Sequence, residues 1–159
     1  VDGDAWRAEA RRATRLAQGY LVDAAAVARG KAKGSVRVRV GDGRGWLNIK
    51  SSTLGVARDE YDYEIPLVDA ERMLATLCSG TVEKIRHEVT IAAHVFEIDE
   101  FLDANAGLIV AEVELDAADE TFPRPAWLGR EVSHLPRYYN LHLVDRPYAT
   151  WTTAEREGR

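Results

Sequence analysis

The feature that most limits what this chain can fold into is a period of two. In Val36-Arg37-Val38-Arg39-Val40 three valines alternate with two arginines. Successive side chains of an extended chain point to opposite sides, so the valines share one face and the arginines the other. A helix would spread the same residues around its circumference, so the pattern selects a strand. Trp46-Leu47-Asn48-Ile49-Lys50 repeats it after Gly41-Asp42-Gly43-Arg44-Gly45, and the two segments read as a hairpin with a loop of several residues. Residues 15–22, 58–65, 82–91, 95–101 and 108–115 alternate in the same way, so seven antiparallel strands are expected.

Helical spacing is rarer. Over residues 67–78, Leu67, Ala70, Met73, Leu74, Leu77 and Cys78 recur every three or four positions, with Asp69 placed as an N-cap and Gly80 just past the end. Residues 4–13, rich in Ala and Arg, form a second candidate, and short helices are expected near 125–129 and 138–143. Residues 1–148 read as one domain and 149–159 as a polar terminal tail. At 159 residues and 46% hydrophobic content the chain is long and apolar enough for a packed core. Cys78 is the single cysteine, which excludes an intrachain disulfide. No apolar stretch approaches the roughly 20 residues of a membrane span. Val1-Asp2-Gly3-Asp4 shows no signal-peptide pattern, and a cytoplasmic location is the expectation.

The net charge of −5 lacks the basic excess of a dedicated nucleic-acid binder. It hides a division: residues 1–58 hold 12 basic and 5 acidic side chains, and residues 59–159 hold 9 and 21. Alternation assigns these charges to strand faces. Arg37 and Arg39 share one, with Lys50 on the next strand. Arg58, Glu60, Asp62 and Glu64 share another, as do Lys84, Arg86 and Glu88, Glu97 and Asp99, and Glu112 and Glu114. A solvated face mixes the two signs, because like charges on neighbouring strands repel. Here one group of strands is nearly all basic and another nearly all acidic. Seven or eight strands suffice to close a barrel whose lumen would gather these faces. A lumen with walls of opposite sign suits a metal-bound polyphosphate: Arg and Lys on phosphate oxygens, paired carboxylates on Mg²⁺ or Mn²⁺.

The ordered series Gln18-Gly19-Tyr20-Leu21, Arg37 and Arg39, Leu47-Asn48-Ile49-Lys50-Ser51, Arg58-Asp59-Glu60-Tyr61, Lys84-Ile85-Arg86, Glu97-Ile98-Asp99-Glu100-Phe101, Ala111-Glu112-Val113-Glu114-Leu115, Trp127-Leu128-Gly129-Arg130-Glu131-Val132 and Arg137-Tyr138-Tyr139-Asn140 resembles the CYTH, or triphosphate tunnel metalloenzyme, family. The resemblance implies an eight-stranded antiparallel β-barrel enclosing a tunnel, with a few peripheral helices, and hydrolysis of a small-molecule triphosphate. It implies catalytic roles for Lys84, Glu60 and Asp99, substrate binding by Arg37, Arg39, Lys50, Arg58 and Arg86, and metal binding by Glu112 and Glu114, with Mg²⁺ or Mn²⁺ as cofactor. Inorganic tripolyphosphate is the leading substrate. A class IV adenylyl cyclase or thiamine triphosphatase would use the same tunnel, and a binder of phosphorylated ligands would keep the basic wall without turnover. A homodimer is possible by the same resemblance, and neither nucleic acid nor membrane is an expected partner. One departure stands out. Family members open with a strand bearing Glu-x-Glu-x-Lys, which residues 1–159 lack. The expectation is therefore seven of the eight strands, two unpaired edges, and either residues upstream of this sequence or a binding-only relative.

His87, His94, His134 and His142 have no metal-like spacing and read as structural or surface residues. Cys78, on the apolar face of its helix, reads as an inert thiol.

Overall fold

A computed structural model describes residues 1–22, 24–51, 59–117 and 119–157. Among them, seven strands form one sheet: β1 (Arg12–Tyr20), β2 (Gly34–Gly41), β3 (Arg44–Ser51), β4 (Glu60–Ile65), β5 (Thr81–Ile91), β6 (His94–Phe101) and β7 (Ile109–Val113). Their order is β4-β3-β2-β1-β5-β6-β7 and every pairing is antiparallel. The expected seven strands are present. The sheet does not close into a barrel among the described residues, and β4 and β7 are its edges. Arg58, expected at the start of the fourth strand, lies outside the described residues.

The β2–β3 loop is tighter than the sequence suggests. Pairing runs to Gly41 opposite Arg44, leaving Asp42 and Gly43 as a two-residue turn with φ of 48° and 70°. Both central residues of a type I′ turn need positive φ, and Asp-Gly supplies them at low cost. Ala92, φ 53°, takes the same region between β5 and β6.

Helices α1 (Ala24–Ala28), α2 (Leu67–Thr76), α3 (Asn140–Asp145) and α4 (Thr153–Arg156) complete the described elements together with short 3-10 turns. α2 forms where the spacing predicts it, but Pro66 occupies the N-cap position and Asp69 sits in the first turn, where its charge complements the helix dipole. The helix lies close on the sheet: a Cβ on Gly45 would come within 2.5 Å of the Ala70 Cβ.

The helix expected over 4–13 is only a 3-10 turn at Ala5–Ala8, because residues from Arg12 onward pair with β5 instead. That arrangement buries Trp6 against Val89, Phe96, Ile98 and Trp127 on the apolar side of the sheet. Trp127 packs there as expected, but from a turn rather than a helix. A second cluster joins Val82 and Phe101 to Leu108, Leu143 and Trp151. Trp151 falls in the stretch read as a polar tail, yet it is buried. Its indole also donates to the Arg146 carbonyl, and α4 follows it behind a Thr152–Glu155 capping box. Composition hid this, because a single tryptophan anchors an otherwise polar segment.

Candidate functional site

The register gathers the charged side chains onto one face of the sheet. Tyr20 lies opposite Arg37 and Gln18 opposite Arg39. Arg37 faces Asn48, Arg39 faces Trp46 and Ser35 faces Lys50, while Asn48 faces Asp62 and Lys50 faces Glu60. On the other side of β1, Leu16 meets Lys84 and Thr14 meets Arg86. Arg86 then faces Asp99, Glu88 faces Glu97, and Glu97 faces Glu112. Residues opposite one another in a ladder project to the same side, so this is one polar surface across the sheet. It is curved. Arg39 on β2 feels the charges of Arg86 and Glu97, and Tyr20 on β1 that of Glu112, though β2 and β6, like β1 and β7, stand three strands apart and a flat sheet would separate them by about 14 Å. Val82 and Phe101 sit at one end of this face, where α3 and Trp151 cover them.

The acidic wall is internally paired. Lys84 and Asp99, each 1% exposed, form an ion pair through Nζ and Oδ2, and the Asn140 side chain reaches the same ammonium at 3.4 Å. Arg86 donates to both Asp99 oxygens at 2.7 Å, pairs with Glu97 and reaches Glu112 at 3.2 Å. Burial works against the Arg86 charge, but the Asp99 hydrogen bonds and the three carboxylates outweigh it and raise its pKa. Burial also opposes ionisation of Asp99, yet Arg86 and Lys84 hold its pKa below the usual range. For Lys84 burial wins and the ammonium is less basic than an ordinary lysine.

Beyond Arg86 the wall opens into a cavity of about 350 Å³ lined by Glu97, Glu112, Glu114, Asp116, Glu120 and His94. His94 Nε2 and Glu120 lie 2.9 Å apart, which ties the segment after β7 across this mouth. Burial raises the Glu97 pKa and the nearby Asp99, Glu112 and Glu114 add to the rise, against the pull of Arg86. Crowded, incompletely neutralised carboxylates have the oxygen donors that a hard divalent cation takes, so Glu97, Glu112 and Glu114 fit such an ion in donor chemistry. Among the described residues, no three such side chains already converge around a single point.

The basic wall is different. The Nε atoms of Arg37 and Arg39 are buried without a hydrogen-bond partner. Arg39 has Asp62 at 3.9 Å, too far for a hydrogen bond, and burial together with Arg37 lowers its pKa. Lys50 pairs with Glu60 at 3.0 Å. Asn48 also donates to Glu60 at 2.7 Å; although burial opposes it, these two contacts lower the Glu60 pKa. The structure sets Glu60 on the edge strand β4, beside Lys50, and Glu112 on the other edge strand, β7.

Sequence reasoning did not assign functional roles to Gln18, Tyr20, Asn48 or Trp46, all on the polar face. The Tyr20 hydroxyl accepts from Gln18 at 3.2 Å, and burial pushes its pKa up to about 12 against the opposing influence of Arg37. Alternation in β1 puts Gln18 and Tyr20 on one face, and the β1–β2 register makes it the face of Arg37 and Arg39.

A family model for the CYTH domain matches residues 1–141. The inorganic triphosphatase of Acetivibrio thermocellus is 42% identical over 149 residues, covering 93% of this chain and 90% of that protein. Among solved structures, the inorganic triphosphatase NE1496 superposes with a TM-score of 0.60 at 28% identity, over 84% of this chain and 86% of its own. The Hippeastrum protein HpAC1 has a TM-score of 0.52 at 15% identity, over 69% of each chain, a likeness of fold.

Proposed function

Because the chain belongs to the CYTH family, a family that implies a divalent metal, we propose that it hydrolyses inorganic tripolyphosphate with Mg²⁺ or Mn²⁺. The observation that carries this reading is the pair of buried, unpartnered guanidinium Nε atoms at Arg37 and Arg39, on the same face of the sheet as the carboxylates of β6 and β7. Buried donors without acceptors are costly, and phosphate oxygens are the acceptors that planar guanidinium forks match best. Arg37, Arg39 and Lys50 hold the substrate from the basic wall, with Arg58 continuing that wall in sequence.

Glu112 and Glu114, with Glu97 beside them, hold the metal, which when bound neutralises phosphate charge and favours attack by water. Asp99 keeps Lys84 and Arg86 in place. Lys84, paired with Asp99 and with a lowered pKa, holds a proton at Nζ for a departing phosphate oxygen. Arg86 binds substrate from the acidic side. Glu60 acts through Lys50, whose ammonium it orients. The name of the 42% identical relative supports tripolyphosphate over nucleotide or thiamine triphosphate. The test is phosphate release by the full-length protein from tripolyphosphate, ATP and thiamine triphosphate, with and without Mg²⁺. Metal-dependent release from tripolyphosphate in preference to the other two is expected; binding of all three with hydrolysis of none would overturn the proposal.

A further inference from the structure

Trp46 lies on the polar face beside Arg39, its ladder partner, and the guanidinium carbon stands 5.2 Å from the centre of the indole ring. Arg39 is otherwise poorly held. Its nearest carboxylate oxygen among the described residues is at 3.9 Å, its Nε has no partner, and its side chain is 21% exposed. Arg86 shows the alternative way of holding a guanidinium, with three carboxylates taking its donors.

The two arrangements have different consequences for an incoming phosphate. A carboxylate orients arginine by occupying in-plane N–H groups, and its charge repels phosphate. An aromatic face attracts the cation through the ring quadrupole and brings no carboxylate charge to compete with phosphate for the guanidinium donors. It also limits the rotamers that a long side chain must surrender on binding.

We propose that Trp46 is a positioning residue that holds Arg39 ready for a substrate phosphate by its ring face while leaving the arginine's hydrogen-bond donors and charge unspent. The inference rests on the reading of Arg39 as a phosphate ligand. Trp46 itself donates nothing to the reaction, so its removal loosens substrate binding rather than the chemical step.

The experiment is steady-state tripolyphosphate hydrolysis by the full chain with Mg²⁺, comparing Trp46→Leu, Trp46→Met, Trp46→Phe, Arg39→Ala and the Trp46→Leu/Arg39→Ala double variant. Trp46→Leu is expected to raise KM about tenfold with kcat within about threefold. Trp46→Phe, which keeps a ring face, should restore most of the loss, and the double variant should be no worse than Arg39→Ala. If Trp46→Leu does not fold, Trp46→Met supplies a flexible side chain without a ring and decides in its place. KM unchanged in the ring-less variant while Arg39→Ala raises it, additive losses in the double variant, or a fall in kcat alone would each overturn the role of Trp46. KM unchanged in Arg39→Ala would instead overturn the reading of Arg39, and this inference with it.

Discussion

The two walls of the polar face spend their cations differently. On the β5–β7 side, Asp99 takes both Lys84 and Arg86, and Glu97 and Glu112 close around Arg86. On the β2–β3 side, the Nε atoms of Arg37 and Arg39 are buried without a hydrogen-bond partner, and the Arg39 pKa is depressed by burial and by its neighbour. A charge whose pKa is pushed toward neutrality is one that the fold holds at a cost. The Arg86–Asp99 pair holds both its charges in the folded state, whereas the open Nε donors of the basic wall give up stability for affinity, the balance expected where a site must stay unsatisfied until its ligand arrives.

The largest effect should come from breaking the paired wall. Asp99→Ala leaves Lys84 and Arg86 buried without their shared partner, and removal of one member of such a group costs about 3–5 kcal/mol. Urea unfolding measures this; a loss under about 1 kcal/mol would place the group in solvent and erase the contrast. Next is Arg39→Leu. Its unfolding free energy should be unchanged or higher by up to about 1 kcal/mol. Its KM for tripolyphosphate should rise about 10- to 100-fold, as for a lost hydrogen bond to a charged group.

Glu114→Gln separates the metal from the phosphate. The Mg²⁺ concentration giving half-maximal rate should rise about tenfold or more, with stability little changed because Glu114 lies outside the Arg86 network. A metal titration checks this, and an unmoved midpoint would remove Glu114 from the ligand set.

The smallest effect is the acid limb of stability. The Asp99 pKa in the folded state is below the ordinary 3.8, so ionised Asp99 favours the fold above that value. Its contribution drains away as pH falls from there through the lower, folded pKa. Unfolding free energy should decline below about pH 4, and Asp99→Asn should flatten that limb. An unchanged acid limb in the variant would assign the decline to other carboxylates.

Much of this contrast was legible in the sequence, because strand alternation is a local property. Val36 to Val40 announce both their strand and the face on which Arg37 and Arg39 meet, and the spacing of Leu67 to Cys78 announces α2. What was hidden depends on contacts distant along the chain. Residues 4–13 have helical composition, but pairing with β5 and burial of Trp6 against Trp127 decide their structure. Trp151 anchors a segment that its neighbours make look like a tail. Within the site, the residue types named the two walls, but only register could place Glu60 opposite Lys50. Nothing local to Trp46 marks it as the support of Arg39, since the partner lies across the hairpin.

The most direct test is thermal unfolding with and without tripolyphosphate, for the native protein and Arg37→Leu/Arg39→Leu. A ligand that binds the folded state raises its stability by mass action. The native protein should gain several degrees in Tm with tripolyphosphate, while the variant, at least as stable alone, should gain none. A variant that is less stable without ligand yet keeps the full shift would contradict the account.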